Sequence, residues 1–372
     1  MDKRTAAELN RRMLENVRAN RTDLASQEIT IPAESFQSPE RLAQERASLF
    51  IHTPQPVAFA GELPAPNSYL TLDVLDTPVL LTRDEGGVLH AFINACAHRG
   101  APVASGSGDA RALVCPFHGW SFTTAGKLRG RPADACFNAP TSDTALQPLT
   151  VCERSGIVMV GVDPAVTQAQ VDNSLFEIAD ELDALGLAHF RALDRREYRV
   201  AANWKLVNDL SLESYHFATL HRDSVAQMLS PSAVFDTFER HSRWAFPLKS
   251  IEDLAEMPEE KWPESLQGSC TYTLYPGVML LINALGAQMI RAEPGAHPGE
   301  SVVSYIGMHD PHSDPQAARQ AYEFGGDVFA REDLPMAEAC QRGINASHRD
   351  LPLGKNEPLL QFWHQLWDKA NN

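Results

Sequence analysis

The stretch CAHRGAPVASGSGDARALVCPFHGW, residues 96–120, contains two pairs of residues of the types that can bind metals. Cys96 and His98 form the first pair, Cys115 and His118 form the second, and sixteen residues separate the pairs. Thiolates and imidazoles are the ligands that zinc and iron–sulfur centres use in proteins. The spacing therefore predicts a metal site on two loops of the first half of the chain.

The order of residues within each pair distinguishes two kinds of metal site. A Cys₂His₂ zinc finger groups its cysteines in one pair and its histidines in the other, whereas here each cysteine is followed by a histidine. Mixed pairs suit a [2Fe–2S] cluster in which two thiolates bind one iron and two imidazoles bind the other. Glycines around both pairs let backbone amides approach the sulfurs. The cluster is the favoured interpretation, and zinc is the alternative.

The composition excludes several classes of function. The chain has 372 residues, a formal net charge of −16 and 44% hydrophobic residues, so two domains or one large domain with a substantial core is expected. The negative charge argues against nucleic acid or an anionic membrane as a partner. No apolar run reaches the roughly 18 residues of a transmembrane helix, and the N-terminus lacks the apolar region of a signal peptide. The cytoplasm is the expected location.

The cysteines outside the two pairs are expected to be reduced thiols. They lie at positions 136, 152, 270 and 340 and have no neighbouring histidine. Six scattered cysteines in a chain of this length do not form the framework of a disulfide-rich secreted domain. Disulfides are therefore not expected to hold this fold together.

Hydrophobic periodicity predicts a β-rich first half and a mixed second half. In the first half, the predicted elements are a helical and connecting N-terminus, hairpins over 71–94 and 121–128, and a strand at 155–163. In the second half, helical patterns cover 171–187, 211–229, 316–344 and 356–370, and a strand runs into a helix over 196–209. Strands cover 271–283, 287–294 and 301–310, and residues 231–265 resemble a loop. This order predicts an antiparallel sheet with helices packed on it, an α+β architecture.

His216 and His221 form a second candidate metal site. They are five residues apart, which is more than one helical turn, so a distortion of the helix is needed to bring both rings to one ion. Two histidines and one carboxylate, with open coordination positions, form the facial triad of non-haem Fe(II) oxygenases. The alternative interpretation is that both are ordinary histidines of a helix.

Both motifs resemble the same family. The pattern C-x-H-x₁₆-C-x-x-H followed by G-W-x-F is similar to the signature of a Rieske [2Fe–2S] domain. The segment from Asn203-Trp204-Lys205 to His221 resembles the iron-binding segment of the alpha subunit of Rieske oxygenases. The resemblance implies a helical and connecting segment at 1–44, an all-β Rieske domain at 45–162 and, at 163–372, a catalytic domain with the helix-grip fold. In all, an α+β protein is expected.

The resemblance also implies the ligands of two metal centres. The expected ligands of the [2Fe–2S] cluster are Cys96, His98, Cys115 and His118. The expected ligands of a mononuclear Fe(II) are His216, His221 and Asp333. Asp333 would instead be only an N-cap if its carboxylate served the helix that starts at Leu334-Pro335. Glu332 is the next candidate for the third ligand.

Glu213 occupies the position at which the family places a carboxylate between two subunits. That carboxylate joins an iron histidine to a cluster histidine, which here would be His216 and His118 of the partner subunit. Aspartate is commoner at this position, and glutamate occurs in a subset that includes carnitine- and betaine-type oxygenases. Asp209, one turn earlier, is expected to support the same network, with a solvated carboxylate as the alternative. Leu210 stands where many members carry Asn.

The implied function is that of the terminal oxygenase of a multicomponent system. A separate flavin reductase oxidises NAD(P)H and supplies electrons directly or through a ferredoxin, O₂ is the co-substrate, and the chain forms a homotrimer with or without a beta subunit. The expected substrate is an aromatic small molecule, such as an aromatic acid. The alternative is demethylation or C–N cleavage of a quaternary ammonium compound similar to carnitine or betaine. A Rieske electron carrier and a zinc-stabilised binding protein are further alternatives.

The substrate pocket is expected between the helix after Asn208 and the sheet at 271–309. The candidate wall residues are Leu212, Phe217, Val225, Tyr272, Tyr275, Leu281, Asn283 and Gln288. An apolar wall would suit an aromatic ring, whereas a quaternary ammonium group requires an aromatic cage. The candidate cage residues are Trp244, Tyr272 and Tyr275.

Overall fold

The computed structural model describes residues 1–371, and the chain divides into two units. The β unit is Phe50–Leu175, and the α+β unit combines Met1–Leu49 with the chain from Phe176 onward. The N-terminal segment of the α+β unit contains α1 (Lys3–Arg18), β1 (Ile29–Ile31) and α2 (Pro39–Glu45). None of the helices over residues 1–371 is long and apolar enough to cross a bilayer.

The β unit consists mainly of short strands. They are β2 (Gln55–Phe59), β3 (Ser68–Val74), β4 (Thr77–Arg83), β5 (Leu89–Ile93), β6 (Ser107–Asp109), β7 (Leu113–Val114), β8 (Ser121–Phe122), β9 (Leu128–Gly130), β10 (Pro148–Arg154) and β11 (Ile157–Gly161), followed by the short helix α3 (Gln168–Asp172). An antiparallel sheet has the order β2-β11-β10-β5-β4-β3-β6, and a smaller sheet has the order β7-β8-β9. The all-β prediction for this part of the chain is confirmed.

One predicted strand of the β unit is wrong. Residues 71–82 belong to two strands, β3 and β4, because the chain reverses at Leu75-Asp76, where Leu75 has φ +52°. Apolar residues continue through this tight turn, so the hydrophobic pattern does not mark it. The cysteines of the two cysteine–histidine loops, Cys96 and Cys115, are buried in one hydrophobic cluster with Trp120 and Phe122.

The α+β unit is built on a seven-stranded antiparallel sheet. After α4 (Ala179–Asp183), its elements are β12 (Arg191–Val200), α5 (Trp204–Asp209), β13 (Val234–Phe238), β14 (His241–Pro247), β15 (Gly268–Leu274), β16 (Val278–Asn283), β17 (Gly286–Pro294), β18 (Ser301–His309), α6 (Pro315–Val328), α7 (Leu334–Ser347), β19 (Leu351–Leu353) and α8 (Pro358–Ala370). The sheet order is β12-β18-β17-β16-β15-β14-β13, and β1 pairs with β19.

The C-terminal helix α8 packs on the sheet through its tryptophans. Trp363 Nε1 donates to Ser242 Oγ at 2.9 Å, and Trp367 Nε1 donates to Pro276 O at 2.6 Å. Trp367 also meets Trp204 of α5 edge-to-face, with ring centroids 4.7 Å apart. The apolar side of α8 is buried against the sheet and its polar side faces outward. The structure therefore has the amphipathic helix that the pattern at 356–370 predicts. The predicted α+β class with an antiparallel sheet and helices is confirmed.

Three other sequence predictions differ from the structure. Residues 231–265, expected to be a loop, contain β13 and β14, because buried ion pairs such as Arg243–Asp236 (2.8 Å) make these strands look polar. The single strand expected at 271–283 is two strands, β15 and β16. The helix expected at 171–187 is interrupted at residues 173–175, between α3 and a short 3₁₀ turn before α4.

The Asn203-Trp204-Lys205 motif anchors the start of α5 to α2. Asn203 Oδ1 caps the helix by accepting from Lys205 N at 3.0 Å. The buried carboxylate of Glu45 accepts from Trp204 Nε1 at 2.9 Å and from Lys205 Nζ, 2.7 Å from each oxygen. Burial lowers the pKa of Lys205, and the Coulombic attraction of Glu45 opposes that effect. The motif therefore positions α5, from which the chain continues into the candidate iron site.

Candidate metal centres

The segment between α5 and β13 is not a regular helix, contrary to the prediction for 211–229. It is a succession of turns, which leave the helical ladder after Asp209. Within it, Glu213 Oε2 accepts the backbone N–H groups of Tyr215 and His216, the latter at 3.1 Å. Because this side chain takes N–H groups that a helix would pair with backbone carbonyls, the helix cannot continue. The distortion required to bring His216 and His221 together is present.

His216, His221 and Asp333 converge at one point. His216 Nε2 lies 3.1 Å from His221 Nε2, and Asp333 Oδ1 lies 3.2 Å from His221 Nε2 and 3.9 Å from His216 Nε2. Ligand atoms bound at about 2.1 Å and at right angles around one ion lie roughly 3 Å apart. Over residues 1–371 this is the one group of three or more His, Cys, Asp or Glu side chains close enough for a single ion.

The opposite nitrogen of each imidazole is paired with a carboxylate. His216 Nδ1 pairs with Glu213 Oε1, and His221 Nδ1 pairs with Glu332 Oε2 at 2.7 Å. Glu332 Oε2 also accepts from Ser224 Oγ at 2.8 Å. An acceptor on Nδ1 places the proton there, so that the Nε2 lone pair faces the metal. Glu332, the next candidate ligand, lies outside the ligand group, and the sequence contains no signal for the part played by Ser224.

The carboxylate of Asp333 has the properties of a ligand. Its Oδ1 is buried and has no hydrogen-bond partner over residues 1–371. Asp333 precedes α7 but makes no capping hydrogen bond, because a π-helical segment, Phe329–Asp333, runs directly into α7. Burial lowers the pKa of His221, but Asp333 and Glu332 outweigh it and hold the pKa above its usual value. An unpaired buried carboxylate opposite two imidazoles fits a cation such as Fe(II).

Asp209 has a partner that the sequence does not predict. Its two carboxylate oxygens are 3.0 and 3.2 Å from His364 Nε2 of α8, and its side chain is 16% exposed. No hydrogen bond to Glu213 or His216 is among its contacts in the described chain. Asp209 therefore ties the end of α5 to α8, and the alternative of a solvated carboxylate does not hold either.

The two cysteine–histidine loops of the β unit share one backbone design. Gly100 N donates to Cys96 O at 2.9 Å, and Gly119 N donates to Cys115 O at 3.0 Å. Both glycines have φ above +70°, a conformation that a side chain disfavours. Each loop therefore folds back after four residues and brings its cysteine and histidine to the same side.

The four side chains of these loops lie close together but do not surround a single point. The imidazole centroids of His98 and His118 are 4.6 Å apart, His98 stacks on Trp120 at 4.9 Å, and both cysteines are buried. No three of the four donor atoms form a single-ion group within the described chain. Two neighbouring imidazoles and two neighbouring thiols, with no three donors placed for one ion over residues 1–371, fit two irons bridged by sulfides better than one tetrahedral zinc.

The surroundings of the cysteines and histidines also fit the cluster. His98 Nδ1 is buried and has no hydrogen-bond partner over residues 1–371, as expected of a nitrogen that binds iron. Burial raises the pKa of the Cys96 thiol, and backbone N–H groups of His98 and Arg99 directed at the sulfur oppose this effect. N–H groups directed at the sulfurs are one means by which a protein tunes the reduction potential of such a cluster.

A cavity of about 290 Å³ adjoins His216, His221 and Asp333. Its side next to the histidines is formed by Phe217, Trp244 and Phe246, and ring centroids lie 5.1 Å apart for His216–Phe217 and 6.0 Å apart for Phe217–Trp244. Trp244 and Phe246 both lie on β14. Because the sequence predicts a loop at 231–265, it does not indicate that both rings lie on one face of a strand. A largely apolar cavity with a few polar groups is typical of a small-molecule site.

Five of the eight candidate wall residues line this cavity. They are Phe217, Val225, Leu281, Asn283 and Gln288, and Leu210 lines it as well. The predictions for Leu212, Tyr272 and Tyr275 are wrong. Side chains alternate along a strand, so that Thr271 faces the cavity while Tyr272 faces the other side, where its hydroxyl donates to Glu181 at 3.0 Å. Of the predicted aromatic cage only Trp244 lines the cavity, joined by Phe217 and Phe246.

Comparison with known proteins gives both halves of the chain a family. Residues 53–148 match the Rieske [2Fe-2S] domain, and residues 187–371 match the ring hydroxylating alpha subunit (catalytic domain). The carnitine monooxygenase oxygenase subunit of Escherichia coli (strain K12) is 26% identical over 329 residues, covering 85% of this chain and 84% of that protein. The chloroplastic choline monooxygenase of Spinacia oleracea is 24% identical, covering 90% of this chain and 77% of that protein.

A solved structure shares the fold of the chain. The crystal structure of a quaternary ammonium Rieske monooxygenase, CntA, in complex with L-carnitine superposes with a TM-score of 0.78 at 23% identity, covering 94% of this chain and 97% of that one. At this identity the likeness concerns the fold. With the two domain matches, it extends the resemblance from two motifs to nearly the whole length.

Members of this family are oxidoreductases that form multimers and receive electrons from a reductase or a ferredoxin. Their Rieske domain holds a [2Fe–2S] cluster, and their catalytic domain holds a mononuclear iron that activates O₂. An electron carrier without catalysis and a zinc-stabilised binding protein are therefore excluded. The chain belongs to the alpha subunits of the Rieske ring-hydroxylating oxygenases.

Proposed function

We propose that the chain is the terminal oxygenase of a system that oxidises a quaternary ammonium compound at a carbon next to nitrogen. The observation that carries this proposal is the convergence of His216 Nε2, His221 Nε2 and the unpaired Asp333 Oδ1 beside a cavity lined by aromatic rings. The two histidines and the aspartate are assigned as the ligands of Fe(II). The cluster is assigned to the two cysteines and two histidines of the β unit.

The residues around the iron ligands hold them in one protonation state. Iron bound at this site supplies the activation of O₂ when electrons arrive. Glu213 and Glu332 keep the proton of each imidazole on Nδ1, so that both Nε2 atoms face the ion. Asp333 supplies one negative charge, and the apolar cavity wall keeps bulk water away from the reacting carbon.

The substrate assignment departs from the aromatic substrate that the sequence analysis put first. Carnitine and choline monooxygenases are among the relatives, and the three rings beside the iron ligands suit a methylated ammonium group through cation–π attraction. One oxygen atom of O₂ enters a C–H bond next to nitrogen, and the other leaves as water with two protons and two electrons. The resulting hydroxymethylammonium loses formaldehyde and a proton to give the tertiary amine, or a longer carbon chain is cleaved from nitrogen in the same way.

The electron path is proposed to cross between subunits of a homotrimer. Glu213 pairs with His216 and is only 8% exposed, so it is held at the iron site. In the proposed trimer its carboxylate meets His118 of the partner subunit. A flavin reductase that oxidises NAD(P)H, directly or through a ferredoxin, would supply the electrons, and a beta subunit is not required by this arrangement.

Metal analysis and a substrate screen test the proposal. The wild-type chain is expected to hold about three irons and two sulfides, and Asp333→Ala about two irons and two sulfides. Cys115→Ser should lose the visible absorption of the cluster and keep the mononuclear iron. With a surrogate reductase, trimethylammonium compounds should release formaldehyde or trimethylamine. Turnover of aromatic acids alone would refute the substrate assignment, and three irons in Asp333→Ala would refute the ligand assignment.

A further inference from the structure

The floor of the cavity is a row of side chains that crosses four strands. Register pairs Trp244 of β14 with Thr271, Thr271 with Leu281, and Leu281 with Gln288 of β17, and all four line the cavity. With strands about 4.8 Å apart, Trp244 and Gln288 lie on backbones about 14 Å apart. The row therefore runs from the rings beside the iron ligands to an end at which Gln288 is the polar group.

The amide of Gln288, a residue that lines the cavity, has its oxygen occupied and its NH₂ group unpaired in the described chain. The hydroxyl of Tyr305, which also lines the cavity, donates to Gln288 Oε1 at 2.9 Å, so the amide oxygen is occupied by the fold. Gln288 Nε2 has no hydrogen-bond partner over residues 1–371 and is not enclosed by protein. Gly325 of α6 leaves room for this arrangement, because a Cβ atom there would lie 2.9 Å from the Tyr305 hydroxyl. Two N–H donors therefore remain available to a bound molecule.

Asn283 presents a second amide in the same way. Its Oδ1 accepts from the backbone N–H groups of Leu285 (2.9 Å) and Gly286 (3.2 Å) at the turn between β16 and β17. Its Nδ2 makes no hydrogen bond in the described chain, and Asn283 lines the cavity with Gln288. Both amides have their oxygens occupied by the fold and their NH₂ groups free, so this end of the cavity offers donors.

Away from the proposed iron ligands, the described lining of the cavity has no cationic side chain to balance a buried carboxylate. No lysine or arginine is among the described residues that line it, and its one carboxylate is Asp333. A carboxylate that leaves water for two neutral donors pays a larger desolvation cost than an uncharged carbonyl does. The far end therefore suits a neutral hydrogen-bond acceptor better than an anion.

We propose that the substrate is a quaternary ammonium compound whose far end carries an uncharged carbonyl, as in an amide or an ester, bound by the NH₂ groups of Asn283 and Gln288. This inference rests on the proposed function and narrows its substrate class. A cation lies about 5 Å from an aromatic centroid and an acceptor about 3 Å from its donor, which leaves about 6 Å along the row. A chain of three carbons and a carbonyl has that length.

Three probes of equal length test the proposal by calorimetric titration of the oxidised holoenzyme. They are gamma-butyrobetaine, its primary amide, and an oxygen-free analogue, an alkyltrimethylammonium ion of the same length. The amide is expected to bind about tenfold more tightly than either of the other two, because the carboxylate of gamma-butyrobetaine costs more to desolvate and the oxygen-free analogue offers no acceptor. Equal affinities, or a preference for gamma-butyrobetaine itself, would overturn the proposal while leaving the proposed function intact.

Two isosteric variants assign the effect to these amides. Gln288→Glu and Asn283→Asp keep the oxygen that Tyr305 or the backbone uses and replace the NH₂ donor. The preference for the amide is the dissociation constant of the oxygen-free analogue divided by that of the amide. Each variant should reduce this ratio by about threefold or more. Gln316→Glu, the same change at an exposed position of α6 outside the cavity, should leave the ratio unchanged. A wild-type ratio in both cavity variants would overturn the assignment. If no ammonium probe binds and an aromatic acid does, the proposed function fails together with this inference.

Discussion

At the residue scale, the two proposed iron histidines are oriented by different kinds of segment. Glu213 lies three residues before His216, and its carboxylate is held by the turn that it stabilises. Glu332 reaches His221 from the π-helical segment that also carries Asp333. The third ligand and the partner of the second ligand are therefore adjacent in sequence, so that one short segment positions both.

Removing the carboxylate of Glu332 should weaken iron binding without unfolding the chain. Glu332→Ala leaves His221 Nδ1 without its acceptor, and loss of such a partner costs about 10- to 100-fold in metal affinity. Iron retained after dialysis against a weak chelator measures the effect, with the cluster absorption as the internal reference. The exposed Glu323→Ala on α6 is the matched control, and full iron retention in Glu332→Ala would contradict the prediction.

The thiols outside the proposed cluster ligands should differ strongly in reactivity. Burial raises the pKa of Cys152 to about 11 and that of Cys270 to about 12, whereas Cys136 is exposed. Because only the thiolate reacts, a raised pKa leaves less of the reactive form at pH 8. Iodoacetamide followed by peptide mass spectrometry should label Cys136 first, and labelling of Cys152 should rise about tenfold per pH unit up to pH 10. Equal labelling of Cys136 and Cys152 at pH 8 would contradict this.

At the scale of elements, the attachment of α5 to α2 depends on a buried ion pair. Glu45→Gln leaves the Lys205 ammonium in the core without its counter-charge, and breaking a buried pair in this way costs about 3–5 kcal/mol. Replacing both partners with apolar residues, Glu45→Leu with Lys205→Met, should cost less than Glu45→Gln alone. Chemical denaturation measures both variants, and equal or greater loss in the double variant would show that the pair itself stabilises the fold.

The sequence predicts those elements whose residues follow one hydrophobic period, and it fails where polar side chains are paired inside the protein. The strands β17 and β18 and the helix α8 are correctly predicted for the first reason. β13 and β14 are missed because Asp236 and Arg243 neutralise each other inside the fold. The contact of Asp209 with His364 is not predicted, because His364 is 155 residues away. Spacing within one segment brings His216, Glu213 and His221 together, whereas a long-range partner leaves no local signal.

At the scale of the whole molecule, Glu213 is the residue proposed to connect the iron site to the electron supply. With both metal sites kept loaded by added Fe(II), Glu213→Ala should abolish turnover that is coupled to electron delivery, because the proposed contact with the partner subunit's cluster histidine is lost, and like Glu332→Ala it should also lower the iron affinity. Metal analysis, the cluster spectrum and product formed per NADH consumed distinguish this from loss of folding. Glu213→Asp, which keeps the charge on a shorter side chain, should retain part of the activity. Wild-type product yield in Glu213→Ala would refute the bridge.

Electron transfer between subunits can be separated from transfer within one chain by complementation. Cys115→Ser chains lack the cluster and Asp333→Ala chains lack the mononuclear iron, so each homotrimer should be inactive. When both are co-expressed with different tags and purified through both tags, every mixed trimer contains one interface at which an intact cluster faces an intact iron. A directional ring of three subunits then predicts about one third of wild-type turnover. Mixing the two separately purified trimers is the control. Inactive mixed trimers that contain both metals would mean that each electron stays within its own chain.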